Sequence, residues 1–218
     1  MRRLPVLALV MLSAACGQQG AVGSGEAPVV SPAAAPSTPS SPSVEDSPGH
    51  TPGESTAPVR LTGGGTFKPY SEGAKAVVYD KKLAPEGAKA DITVDSSGQE
   101  TTSKLTVAGL LPDRKYGSHL HTKSCGAKPD DSGPHFQHMP AQGPSPHTAA
   151  NPTNEVWLDF TTDASGAATA EAKQPWGLSP DRLPKSLVIH AEETTPTGPK
   201  AGTAGDRVAC LDLRKAGA

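Results

Sequence analysis

Between residues 74 and 213 the chain alternates apolar and polar positions over short stretches, and no stretch holds a helical period for three turns. Residues 89–97 (KADITVDSS) and 102–110 (TSKLTVAGL) alternate most cleanly, as strands with one buried face do. Residues 155–163 (EVWLDFTTD) alternate too, with Val156, Leu158 and Phe160 on one face and Trp157 and Asp159 on the other. Residues 74–82 (AKAVVYDKK) are rich in strand formers without clean alternation. Residues 186–192 (SLVIHAE) and 207–213 (RVACLDL) are short apolar runs suited to buried strands. Asp163-Ala164-Ser165-Gly166 is a turn signal, after which 167–174 (AATAEAKQ) is expected as the return strand. Short strands punctuated by glycine and proline predict an all-β antiparallel sandwich or barrel. Residues 122–153 carry no strand pattern, and so long a loop in a compact domain is usually functional or pinned.

Composition divides the chain. Ala, Pro, Ser, Gly and Thr dominate residues 17–58, which have almost nothing apolar to bury against the entropy of ordering. We expect a disordered tether there, extended by its prolines, and one core in the ~160 residues that follow. The first residues look like an export signal: Arg2 and Arg3, the apolar LPVLALVML, too short to span a bilayer, and then SAAC. The stretch resembles a bacterial lipoprotein signal ending at Cys16, with Ser13 where such signals usually carry Leu. Ser13-Ala14-Ala15 would also serve as an ordinary secretory cleavage site. The expected organisation is a signal peptide over 1–15, a tether over 16–60 beginning at lipidated Cys16, and one domain over 61–218. That domain would face outward from the cell membrane on its lipid anchor, or else be secreted. The formal net charge of −2 gives no bulk electrostatic basis for binding nucleic acid or a membrane surface. Once Cys16 carries lipid, Cys125 and Cys210 remain, and two cysteines in an exported domain most often pair rather than stay as free thiols. Closing a loop of about 85 residues would stabilise the domain by roughly 4 kcal/mol in the chain-entropy model.

Seven histidines carry the candidate chemistry: His50, His119, His121, His135, His138, His147 and His190. His50 lies in the tether. Four of the others fall within 119–138, and such a group in an exported domain favours metal binding over scattered surface roles. Residues i and i+2 of a strand project to the same face, so an extended SHLHT presents His119 and His121 side by side with Leu120 opposite. His190 closes the apolar run SLVI and could approach from a neighbouring strand. His135 follows Gly133-Pro134, in a loop that Cys125 could anchor. Neutral imidazole suits copper and zinc. With Met139 the one candidate thioether, a blue-copper electron-transfer site is disfavoured.

Four motifs in order then resemble the copper/zinc superoxide dismutases, across roughly residues 73–213: GSHLH followed by Cys125, GPHFQ with Gln137 in place of Asn, LVIH, and AGDRVACL. The lead-in VAGLLPDRKYGSHLH is similar to that family's approach to its first metal histidines. The resemblance implies a Greek-key β-barrel or flattened sandwich of about eight antiparallel strands. It implies copper ligands at His119, His121, His135 and His190, with His135 matching the imidazole that bridges copper and zinc. Arg207 matches the arginine that attracts and orients superoxide, and Cys125 and Cys210 match the disulfide partners. The implied reaction is dismutation of superoxide to oxygen and hydrogen peroxide, in which His135 would also carry a proton to the peroxide.

The zinc half of the pattern departs. Val156 stands where the zinc aspartate belongs, and Thr194 where the family's aspartate links the two metal sites. The loop between His190 and Arg207 is shortened, Leu211 replaces a glycine, and His138 and His147 are off the usual spacing. The pattern is closer to copper-only members, with zinc in doubt. His138 and His147 are left as vestigial ligands, an accessory copper-loading site, or solvated loop residues, the last preferred. Without zinc, a hydrogen bond must orient His135, and Glu155 or Glu192 are the acceptors considered. The alternative function is an exported copper-binding β-sandwich that buffers or delivers the metal with little dismutase turnover.

Overall fold

A computed structural model describes residues 58–140 and 150–217. The signal sequence, Cys16, the tether up to residue 57 and His147 lie outside the described residues. The strands are β1 (Val59–Thr66), β2 (Ala76–Val78), β3 (Lys89–Ser97), β4 (Glu100–Ala108), β5 (Lys115–His121), β6 (Phe160–Thr161), β7 (Ala168–Gln174), β8 (Ser186–His190), β9 (Arg207–Asp212) and β10 (Arg214–Lys215). They form two five-stranded sheets, ordered β10-β1-β3-β4-β7 and β2-β9-β8-β5-β6, with antiparallel pairing throughout. No α-helix occurs among the described residues; one 3-10 turn spans Pro129–Ser132. The expected all-β sandwich is the observed architecture, with β6 and β10 as two-residue additions to about eight longer strands.

Alternation places the core between the sheets. β3 buries Ala90, Ile92 and Val94, β4 buries Leu105 and Val107, β5 turns Tyr116 and Leu120 inward, and β8 does so with Leu187 and Ile189. Each such large side chain, taken fully from water, stabilises by about 1.5–3 kcal/mol. β8 is buried along its whole length, and on its other face Ser186 lies under the loop after β5, where its Oγ meets the Lys123 carbonyl.

β1 opens at Val59 and carries three consecutive glycines, a sequence with little intrinsic strand signal. It forms because β3 pairs with all eight of its residues and β10 pairs on the other side. At Gly63 a Cβ would stand 2.6 Å from the Asp212 carbonyl oxygen, so β1 passes the end of β9 here only as glycine.

The return strand is a correction. β7 does not pair with the segment before the turn; it pairs with β4 in the opposite sheet. Asp163 accepts from the backbone N–H groups of Ser165 and Ala167, and the Gly166 carbonyl accepts from Leu110 N–H, so the turn carries the chain across the sandwich.

Residues 155–163 keep their expected alternation, with Val156, Leu158 and Phe160 buried. Only Phe160–Thr161 forms a ladder, however. Glu155 bridges to Gln137, Trp157 to His119 and Phe160 to Tyr116, and this change of partner prevents a continuous strand.

The loop after β5 is pinned. A disulfide joins Cys125 to Cys210 across 85 residues. Cys125 N–H also donates to Asp212 Oδ1 at 2.7 Å, and Ser186 Oγ donates to the Lys123 carbonyl at 2.7 Å. The chain then runs back beside β5, with Thr122 N–H on the Pro134 carbonyl and Phe136 N–H on the Leu120 carbonyl.

Candidate metal centre

Strand geometry builds the first three positions. Leu120 and Tyr116 face the core, so His119 and His121 project from the opposite face of β5, and both are fully buried. β8 repeats the logic: Leu187 and Ile189 face the core, and His190 faces the other way. The β5–β8 register sets Gly117 opposite His190, which brings that ring beside the pair on β5. Gly117 is itself required there, because a Cβ would meet the Glu192 carbonyl oxygen and Ala204 Cβ, each at 2.6 Å. His135 arrives from the returning loop through a bridge to His121.

The four rings converge. Their centroids lie 4.0 Å apart for His119–His135, 4.8 Å for His121–His135, 5.0 Å for His119–His190 and 5.6 Å for His121–His190. One nitrogen from each ring forms a set lying within 4.8 Å of one another. Two nitrogens each about 2 Å from one ion span up to about 4 Å, so the set is within an ångström of a coordinating arrangement.

Hydrogen bonds decide which nitrogens face inward. His121 Nδ1 donates to the Gly133 carbonyl at 2.9 Å, His190 Nδ1 to the Gly205 carbonyl at 3.3 Å, and His135 Nδ1 to Glu155 Oε2 at 2.9 Å. These acceptors carry no hydrogen, so each ring keeps its own hydrogen on Nδ1 and, as a neutral imidazole, presents a lone pair at Nε2. His121 Nε2 and His190 Nε2 consequently face each other across 3.4 Å, lone pair to lone pair, a contact that a shared cation relieves. His119 is bonded on the other side, Nε2 to Thr194 Oγ1 at 2.7 Å, and its buried Nδ1 has no partner. A buried, orphaned ring nitrogen aimed among three lone pairs fits a metal ion and fits little else.

The electrostatics agree. Burial, with the neighbouring histidines adding to it, holds His119 and His121 well below the ordinary histidine range and pushes His190 down to about 3. These rings are neutral at pH 7, which is the ligating form. Glu155 behaves oppositely. Burial alone would raise its pKa, but hydrogen bonds from His135, Gln137 Nε2 and Trp157 Nε1 outweigh burial and lower it.

Of the two orienting groups considered, Glu155 holds His135; Glu192 packs instead against Gly205. Glu155 occupies the far side of the His135 ring, where the resemblance implies zinc, and Val156 is buried in the core. His138 is not in the cluster: its ring stacks on Trp176 at 4.8 Å with the planes 5° apart. Among the described residues, the four histidines are the group of three or more potential ligands close enough to share an ion.

Arg207 stands on β9 opposite His190. Its Nη1 donates to the Pro129 carbonyl at 2.9 Å and to Ser132 Oγ at 2.8 Å, both neutral acceptors. Asp130 is 4.0 Å away and exposed, so no tight ion pair neutralises the guanidinium. Arg207, His135 and His190 line a cavity of about 510 Å³ together with Arg182. Sequence reasoning missed Arg182, which clamps the His135 loop by donating to the carbonyls of Gln137 and His138. It also missed Asp159, whose Oδ1 accepts from Thr194 Oγ1 at 2.7 Å behind His119. The polar face of the 155–163 pattern was the one available signal for Asp159.

No curated protein matches the chain closely enough to count as a relative. Residues 88–211, from β3 to β9, match the family model described as copper/zinc superoxide dismutase, and that span contains all four clustered histidines, both disulfide cysteines and Arg207. On this match, and on a sandwich that assembles those residues, the chain belongs to the copper/zinc superoxide dismutase family.

Proposed function

We propose that the protein dismutes superoxide at a single copper site formed by His119, His121, His135 and His190, outside the cytoplasm, without a structural zinc. The observation that carries the proposal is one nitrogen from each of the four rings within 4.8 Å of the others, with His119 Nδ1 buried and without a partner. Bound copper would supply a one-electron couple, through which one superoxide is oxidised to oxygen and a second reduced to peroxide. The chain's own residues do the rest. Arg207 draws the anion into the cavity and orients it beside His135 and His190. His135, held through Nδ1 by Glu155, would ligate through Nε2 and, when that nitrogen is not engaged by the ion, could take a proton there and pass it to the peroxide. Glu155 does by hydrogen bonding what zinc would do by ligation, and its two oxygens are already occupied by three donors. The Cys125–Cys210 disulfide accords with export, and we propose a lipid anchor at Cys16 with the domain facing outward.

The test is metal analysis of the exported protein together with a superoxide-removal assay. The expected result is about one copper and no stoichiometric zinc per chain, with removal much faster than free copper chelates achieve. Copper binding at chelate-like rates would leave a copper buffer or carrier in its place, and a protein that does not retain copper would overturn both.

A further inference from the structure

Three of the four histidines are oriented by groups that can only accept: two backbone carbonyls and a carboxylate. His119 differs. Its partner is a hydroxyl, Thr194 Oγ1, which can donate or accept, so this contact alone does not select a tautomer. The selection needs a second residue. Resting on the ligand role proposed for His119, we infer that Asp159, acting through Thr194, fixes the tautomer of His119 and thereby turns Nδ1 toward the metal.

Thr194 Oγ1 lies 2.7 Å from His119 Nε2 and 2.7 Å from Asp159 Oδ1. The hydroxyl has one hydrogen, and the carboxylate has none to offer. The hydrogen therefore points to Asp159, and Thr194 Oγ1 presents a lone pair to the ring. His119 must then carry its hydrogen on Nε2, and Nδ1 is left bare. The opposite tautomer would set an unprotonated Nε2 against a hydroxyl whose only hydrogen is already committed. It would also aim Nδ1–H into the lone pairs of the other three rings. Full burial keeps bulk water from correcting the arrangement.

Asp159 is itself fixed. Ser118 N–H donates to Oδ1 at 3.1 Å and Thr194 N–H donates to Oδ2 at 2.8 Å, so the carboxylate is anchored to β5 and to the turn after β8 together. Its Oδ1 is 3.9 Å from His119 Nε2, too far to replace the hydroxyl directly. Asp159 is thus a positioning residue, one step removed from the ligand.

The experiment is long-range 1H–15N NMR of the metal-free, 15N-labelled protein at neutral pH, followed by Cu(II) competition with a chelator series. The wild type is expected to show His119 protonated at Nε2. Asp159→Asn offers an amide that can donate to Thr194, which frees the hydroxyl to turn; the Nδ1–H form should gain population and Cu(II) affinity should fall about ten- to a hundredfold. Thr194→Val should lose the fixed tautomer as well, while Thr194→Ser, which keeps the hydroxyl, should retain both tautomer and affinity. A wild-type His119 protonated at Nδ1 overturns the inference, as does an Asp159→Asn protein with wild-type tautomer and affinity. Should Asp159→Asn not fold, Thr194→Val decides, because it breaks the path from Asp159 to the ring: wild-type tautomer and affinity there overturn the inference. A wild type that shows the expected tautomer but binds no copper at the histidines sinks the proposed function and leaves the role of Asp159 intact.

Discussion

Glu155 and His135 are 20 residues apart in the chain, and the Glu155 carboxylate accepts the Nδ1 hydrogen of His135 at 2.9 Å. The same carboxylate collects Gln137 Nε2 and Trp157 Nε1, each at 2.8 Å, while only 1% of Glu155 is exposed. A buried charge with three donors is well compensated, and it fixes the plane of the imidazole it holds.

Glu155→Gln keeps the volume but removes the charge and one clean acceptor. Copper affinity and superoxide removal should both fall, by about ten- to a hundredfold. Glu155→Ala should in addition lower the urea midpoint, because three partly buried donors, on His135, Gln137 and Trp157, lose an acceptor. Wild-type copper affinity in Glu155→Gln, measured by chelator competition, would remove Glu155 from the metal site.

Arg207→Ala should leave copper content intact and lower kcat/KM, and the remaining rate should depend less on ionic strength. Arg207→Lys should recover part of the rate, since a point charge attracts the anion but cannot reproduce the paired contacts to Pro129 and Ser132. An Arg207→Ala protein with unchanged rate and unchanged salt dependence would assign the guanidinium to loop structure alone.

The buried histidines make the metal-free protein acid-sensitive. His119, His121 and His190 titrate in the folded state below the ordinary 6.5, His190 at about 3, so the unfolded chain binds protons that the folded chain refuses. Stability is therefore full above about pH 6.5 and falls as pH drops toward 3, by up to about 1.4 kcal/mol per pH unit for each histidine. Urea titrations between pH 6 and 4.5, above the range of most carboxylates, measure the slope. His190→Gln should lower it by up to one proton's worth. A slope near zero in the metal-free wild type would mean these rings are not buried neutral.

Reduction of Cys125–Cys210 should destabilise the metal-free domain by about 2–5 kcal/mol. It should also weaken copper binding, because the same loop carries His135 back to β5. Cys125→Ala with Cys210→Ala tests this without a reductant that competes for copper. Wild-type copper affinity in that double variant would show that the bridge from His121 to His135 holds the loop unaided.

Much of the site is legible in the sequence. The two-residue period of β5 put His119 and His121 on one face and Leu120 on the other, since successive strand side chains must alternate. The lone pair of cysteines in the domain named its own disulfide. The resemblance in motif order reached His135, His190 and Arg207. The path of residues 167–174 was not legible: a turn signal reports that the chain reverses, not which sheet receives the next strand. β1 was hidden because three glycines carry no pattern, and its pairing with β3 and β10 supplies what the side chains do not.

Periodicity and residue type decided, with no help from tertiary structure, that this is an all-β domain presenting paired histidines. Both are properties of neighbours along the chain, where backbone geometry dictates direction. Only the folded sandwich chose Glu155 over Glu192 for His135, removed His138 to Trp176, and set Thr194 and Asp159 behind His119. Those choices join residues 20 to 75 positions apart. A hydrogen bond forms or fails over a few tenths of an ångström, and strand register and loop path set such distances where composition cannot.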